Sequence, residues 1–252
     1  MYKIPAKTLF IGQKLIYVPE CHSTNSLLNE LNDQSQLPEG TVLITNRQIA
    51  GRGQRGNSWE TEPGMNLTFS ILLRPRFLEA KDQFQLNMAV SIAIGDALKS
   101  STALPIKLKW PNDIMIGDKK IGGILLESQL QGTSLSCSIV GIGVNVNQEN
   151  FSHPGAASLY SFTAIAADLE SLLQRLLESL EHAYLDLRAG KASALKQRYL
   201  ASLYKFKEPH QFESSGEKFT GSIHDVDENG RLCVRSGEST RLFSFREVKF
   251  LN

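Results

Sequence analysis

Cysteine is scarce in this chain. Cys21, Cys137 and Cys233 are the only three among 252 residues; they are odd in number, far apart and without a C-x-x-C pair, so they indicate neither a disulfide framework nor a thiolate zinc site. His22, His153, His182, His210 and His224 show no H-x-x-x-H or H-E-x-x-H spacing, so no metal-ligating residues are expected. Charge of one sign is not in excess either: Lys+Arg 27 against Asp+Glu 26 gives a formal net charge of +1, and no global field to recruit nucleic acid or an anionic membrane. Long apolar runs are missing. The longest, Ile121 to Leu126 and Ile139 to Val144, have six residues each and contain glycine, against the ~20 that span a bilayer. The opening Met1-Tyr2-Lys3-Ile4-Pro5, followed by Lys7 and Lys14, holds no secretory apolar stretch of about 7 to 15 residues. A cytoplasmic chain with neither nucleic-acid nor membrane partners is the expectation.

What is there is ordinary globular composition, 41% apolar and 21% charged, with a length that suits one large domain and a small appendage. Strand-like runs occur at Lys14 to Val18, Thr41 to Thr45, Asn66 to Leu73, Lys107 to Trp110, Ile121 to Glu127 and Ser136 to Val144. Helical stretches interleave with them, near Ser26 to Asn32 behind the N-cap types Ser23, Thr24 and Asn25, and from Asp82 to Lys99. The strongest pattern runs from Ala164 to Arg188, where Ile165, Leu169, Leu172, Leu173, Leu176, Leu177, Leu180, Tyr184 and Leu187 form one apolar stripe. A shorter helix is expected from Ser193 to Leu203. Beyond Tyr204 apolar and polar residues alternate, and Asn229-Gly230 between two such runs signals a type I′ hairpin. The expected division is therefore 1–204 and a small β domain at 205–252.

Three segments carry chemistry. In Gln48-Ile49-Ala50-Gly51-Arg52-Gly53-Gln54-Arg55-Gly56-Asn57-Ser58-Trp59, glycines allow close backbone approach while Arg52 and Arg55 offer fork-shaped donors for phosphate or carboxylate oxygens. The literal G-x-G-x-x-G lacks the helix that a dinucleotide site needs after it, since Trp59, Pro63 and Gly64 break any helical period. The other reading is a surface turn with solvated arginines. In Lys109-Trp110-Pro111-Asn112-Asp113, a strand-end lysine can place a point charge on a carboxylate or phosphate, or it is an exposed strand lysine. Lys119 and Lys120 follow Gly117-Asp118, a hairpin tip that is ordinarily charged. Gly141-Ile142-Gly143-Val144-Asn145 reads as close approach to a strand, or as a bulged core strand.

In their order and spacing these segments resemble the biotin protein ligases, the biotin–[acetyl-CoA-carboxylase] ligases. Ser23-Thr24-Asn25 is similar to the family's early biotin-contacting segment, and Gly51-Arg52-Gly53-Gln54-Arg55-Gly56 to its glycine/arginine loop. Lys109-Trp110-Pro111-Asn112-Asp113 is similar to its signature; Lys120-Ile121-Gly122-Gly123-Ile124-Leu125, Gly141 to Asn145 and Ala157-Ser158-Leu159 follow in family order. The resemblance implies an α/β (α+β) fold: a mixed-sheet catalytic domain of the class II aminoacyl-tRNA synthetase/biotin ligase type, then a small C-terminal SH3-like β-barrel. It implies Lys109 and Arg52 as catalytic residues. Ser23, Thr24, Asn25, Gln48, Gly51, Arg52, Lys109, Gly122 and Gly123 are expected at biotin, and Arg52, Gln54, Arg55, Trp59, Asn112, Asn145 and Ala157 at the nucleotide. Trp59 either stacks on adenine or is a buried structural residue.

The reaction so implied joins biotin to MgATP as biotinyl-5′-AMP and passes biotin to a lysine of a biotin carboxyl carrier domain, with ATP and biotin as substrates and Mg²⁺ held by phosphate oxygens. Gln54 stands where the family loop usually carries an arginine that helps retain the reactive intermediate. Some members carry an N-terminal helix-turn-helix domain; this sequence starts directly at the catalytic region, so a monofunctional enzyme without a DNA-binding role is expected, with a homodimer possible through an edge strand. A lipoate or octanoate ligase and a non-catalytic biotin sensor are the alternatives.

Overall fold

The computed structural model of the chain describes residues 2–251, apart from the side chain of Arg55. The first sheet has seven strands in the order β1-β2-β3-β7-β6-β5-β4. These are β1 (Leu15–Cys21), β2 (Val42–Gln48), β3 (Leu67–Leu73), β4 (Ile106–Lys109), β5 (Asp113–Ile116), β6 (Lys119–Gln131) and β7 (Ser134–Val144). Only β1 and β2 pair in parallel, so the sheet is mixed.

The period-2 rule explains what each face carries. On β3, Leu67, Phe69, Ile71 and Leu73 enter the main core. Thr68, Ser70 and Leu72 point the other way, where Leu72 joins Leu28, Leu43 and Ile139 in a second cluster beneath helix α1 (Thr24–Ser35). On β7, Val140, Ile142 and Val144 likewise face the main core. That leaves Gly141 and Gly143 on the α1 face. A sheet covered on both faces thus keeps a strip of small and polar residues beyond the N-terminus of α1, and there the site forms.

The main core is closed by helices α2 (Gln83–Thr102) and α4 (Leu169–Arg188). The apolar stripe of α4 is buried as its spacing predicts, but the helix starts at Leu169 rather than Ala164. Ala164 adopts φ 54 at the end of a short α3 (Tyr160–Thr163), Asp168 caps α4 through Ser171 N–H at 3.1 Å, and Ile165 is 72% exposed. Ile165 therefore lies outside the stripe to which its spacing assigned it.

After α5 (Ala192–Ser202) comes a second, wholly antiparallel sheet of five strands in the order β11-β10-β9-β8-β12. It comprises β8 (Pro209–Ser214), β9 (Glu217–Val226), β10 (Leu232–Ser236), β11 (Ser239–Phe243) and β12 (Lys249–Phe250). The β9–β10 connection is not the expected type I′ turn. Among its residues only Gly230 has positive φ, at 77°, and type I′ needs two. The Asp227 carboxylate instead gathers the N–H groups of Asn229 at 3.0 Å and Arg231 at 2.8 Å into a wider loop. No helix among the described residues is long and apolar enough to cross a membrane.

Candidate active site

A cavity of 250 Å³ opens on the α1 face of the mixed sheet, near the small end of ligand pockets, which run from about 300 to 1,000 Å³. Its floor explains two glycines. A Cβ on Gly143 would lie 2.3 Å from the ring of Trp59, and one on Gly141 would lie 2.4 Å from Asn25 Oδ1. The close approach read from Gly141-Ile142-Gly143 is real. The visitors are an indole and an amide of this same chain.

Part of the lining is neutral and polar. The Gln48 side-chain oxygen accepts from Thr24 N–H at 2.7 Å and Thr24 Oγ1 at 3.1 Å, which ties the end of β2 to the start of α1. Ser70 Oγ lies 2.7 Å from Thr24 Oγ1 and 2.6 Å from Asn25 Oδ1. Asn25 Nδ2 donates to Glu127 at 2.7 Å and to the Leu125 carbonyl at 3.2 Å. Ser23, the N-cap residue of α1, is buried with no capping bond from its hydroxyl. Two further polar atoms of lining residues, Thr68 Oγ1 and Trp59 Nε1, are buried with no hydrogen-bond partner among the described residues. A buried polar group left unpaired costs about 1–3 kcal/mol.

Charged groups share the lining, and Glu127 Oε2 joins Asn25 to Arg52. Arg52 donates to Glu127 Oε2 and to Ser26 Oγ, each at 3.1 Å. Lys120 pairs with Asp113 at 2.6 Å, with its ammonium 5.8 Å from the Trp59 ring centre. A β-bulge puts it there: the β5–β6 register shifts between Ile114 and Met115, leaving Ile121 unpaired between Lys120 and Gly122. A bulge re-aims neighbouring side chains. Lys119 keeps the hairpin-tip role that both lysines were expected to share, its ammonium on the Pro154 carbonyl at 2.6 Å.

Of the sequence-predicted residues, Ser23, Thr24, Asn25, Gln48, Arg52, Gln54, Trp59, Asn112 and Gly123 line the cavity. Asn112 is pinned by its Nδ2 on the Ile124 carbonyl at 2.6 Å. Gly51, Gly122, Asn145 and Ala157 are not among the described lining residues. Gly51 closes its loop by accepting from Trp59 N–H at 2.9 Å. Gly122 is in the β5–β6–β7 ladder, and Asn145 donates to the Ala157 carbonyl at 3.0 Å behind the floor. The side chain of Arg55 lies outside the described ones.

Lys109 is the largest departure. It too is not among the described lining residues, and its ammonium lies 4.9 Å from the Phe250 ring centre and 5.7 Å from that of Tyr204. Burial pushes it below the usual lysine range, opposed by Asp113. The lysine on the cavity is Lys120. Sequence reasoning also missed Phe245 and Arg246, which reach the lining from the second sheet, with an Arg246 guanidinium nitrogen 3.2 Å from the Gln54 carbonyl. Nothing local in the sequence marks them.

The sequence pattern of the Biotin/lipoate A/B protein ligase family matches residues 17–145. The biotin–[acetyl-CoA-carboxylase] ligase of Mycobacterium tuberculosis is 28% identical over 243 residues, covering 95% of this chain and 90% of that protein. The bifunctional ligase/repressor BirA of Bacillus subtilis is 29% identical over 240 residues, 93% of this chain and 73% of its own. Among solved structures, biotin protein ligase from Aquifex aeolicus in complex with biotin and ATP superposes with a TM-score of 0.80 at 29% identity, covering 95% of this chain and 99% of that one.

Proposed function

The chain belongs to the biotin/lipoate A/B protein ligase family, and from that premise we propose that it is a biotin protein ligase that activates biotin with ATP and passes it to a lysine of a carboxyl carrier domain. The observation that carries this reading is one cavity whose lining combines neutral polar groups, Ser23, Thr24, Gln48 and Thr68, with the cations Arg52 and Lys120. An uncharged ureido ring needs donors and acceptors rather than charge. Its carboxylate and the ATP phosphates need cations.

In the first step the biotin carboxylate attacks the α-phosphorus of ATP, the bond to the β-phosphate breaks, and diphosphate leaves. Two anions must meet, so fixed positive donors lower the barrier. Lys120 takes that role in place of Lys109: an ammonium has three donors, so it holds Asp113 and still reaches a ligand oxygen. Arg52, on the rim beside Glu127, is the second donor. Ser23, Thr24, Gln48 and Thr68 take the ureido end, Asn25 shapes it, and Gln54, Trp59 and Asn112 line the nucleotide side. Gly51, Gly122, Asn145 and Ala157 brace the loops and floor. In the second step the carrier lysine's amine attacks the acyl carbon, loses its proton, and AMP leaves. Among the described residues no group of three or more His, Cys, Asp or Glu side chains is placed to hold a metal, so Mg²⁺ in this reading travels with the ATP phosphates and no protein carboxylates are assigned to it.

The test is a carrier domain incubated with the enzyme, biotin and ATP. One biotinyl mass on one lysine is expected, and no mass change overturns the reading. Calorimetry with lipoate in place of biotin should show no binding, because a plain acyl chain leaves the polar end unsatisfied; tighter lipoate binding would reassign the enzyme within its family.

A further inference from the structure

Lys109 is half-buried and, among the described residues, has no hydrogen bond or ion pair; its ammonium faces two rings instead. One ring belongs to the second sheet and the other to the stretch that leads into it. Phe250 is on β12 of the second sheet, and Tyr204 lies between α5 and β8. Tyr204 is itself fixed at both ends, its N–H on the Leu108 carbonyl at 2.7 Å and its hydroxyl on Asp118 at 2.5 Å. The next residue, Trp110, donates its Nε1–H to the Gly230 carbonyl at 2.9 Å, and its ring meets Phe245 edge-on at 5.3 Å. Gly230 packs so closely on Phe84 that a Cβ there would come within 2.6 Å of its ring.

Two consecutive residues at the end of β4 therefore grip the second sheet at two points, Gly230 and Phe250. Between these points in the chain lie Phe245 and Arg246, the residues that reach the cavity and the Gln54 carbonyl. A cation over an aromatic face is worth more once desolvated, and this one is enclosed by both halves of the molecule.

Building on the ligase reading above, we propose that Lys109 is a positioning residue: with Trp110 it seats the C-terminal sheet so that Phe245 and Arg246 stay over the cavity, and this seat sets how long the activated intermediate is held. Lys109 touches neither substrate. It acts through Phe250 and Tyr204.

The sequence supplies its own probe, since Trp59 and Trp110 are the only two tryptophans. In a Trp59→Phe background, acrylamide quenching of Trp110 reports whether the contact with the second sheet is closed, with no substrate present. Lys109→Gln, which keeps the stem and removes the charge, should raise that quenching. Phe250→Leu, which keeps the lysine and removes a ring, should raise it equally, and Lys109→Arg should restore the parental value because a guanidinium also sits over aromatic faces. In the Trp59-containing enzyme, Lys109→Gln and Phe250→Leu should each speed release of preformed biotinyl-5′-AMP about threefold to tenfold. The double variant should be no worse than either single one.

A Lys109→Gln enzyme with parental quenching but about a hundredfold lower biotin-dependent diphosphate exchange, beside a Phe250→Leu enzyme like the parent, would overturn the proposal and make Lys109 a substrate contact. If the parent shows no such exchange, the ligase reading fails. The quenching comparison still decides the seat.

Discussion

Lys109 and Lys120 flank the same short strand, β5, and are both partly buried, yet one reaches towards the second sheet and the other faces the cavity. Lys109 and Asp113 are directly opposed across β4 and β5, so they share a face of the sheet. But β4 is the edge strand, and Leu203, Tyr204 and the second sheet cover it, drawing the side chain towards the rings. Lys120 follows a hairpin tip, where a lysine is usually solvated, and the bulge at Ile121 turns it onto Asp113. The destination of a charged side chain is set by register and by what covers the strand, not by its nearness to a signature.

Four substitutions break or sharpen this contrast. Lys120→Ala should cut biotin-dependent diphosphate exchange by about 10² to 10³, the scale of losing one transition-state donor. An unchanged rate would return the role to Lys109. Next, Gly143→Ala drives a methyl into the Trp59 ring. Overpacking of this kind costs about 1–3 kcal/mol, so chemical denaturation should show a stability loss of that size. Parental stability would show that the indole moves freely and does not shape the cavity.

Smaller again is Lys109→Gln, whose about threefold to tenfold effect on intermediate release rests on a single ring-held cation. A larger loss in the exchange step itself would place Lys109 on substrate. Smallest is Glu127→Gln. Arg52 and Glu127 are 46% and 41% exposed in their side chains, and an exposed pair contributes about 0–1 kcal/mol. Chemical denaturation should therefore show a stability change of about 1 kcal/mol or less; a loss several times larger would make the pair a structural anchor rather than an adjustable rim.

Residues that act locally were legible in the sequence. The strand runs of β2, β3 and β7 declared themselves because a fully covered sheet needs near-continuous apolar residues, and α4 because its stripe keeps one period over five turns' worth of leucines. That Gln48 and Arg52 stand on one cavity was legible in the glycine-rich segment that holds them, whereas Ser23 and Thr24 were expected there through the family resemblance. Ile165 misled because an apolar residue in phase with a helix need not belong to it; a left-handed Ala164 and the Asp168 cap begin α4 later. Lys120 stayed hidden because a bulge depends on pairing with β5. Phe245 and Arg246 stayed hidden because their place comes from contacts such as Trp110 with Gly230, between residues 120 positions apart. The surroundings of Lys109 stayed hidden for the same reason, since nothing near it in sequence reveals that Phe250 will be its neighbour.

The most direct measurement is exchange of labelled diphosphate into ATP, with and without biotin, for the parent, Lys120→Ala and Lys109→Gln side by side. The expected result is biotin-dependent exchange in the parent, near-complete loss in Lys120→Ala, and exchange within about tenfold of the parent in Lys109→Gln. Biotin-independent or absent exchange in the parent, or the opposite ranking of the two lysine variants, would contradict the placement of the activating ammonium in this cavity.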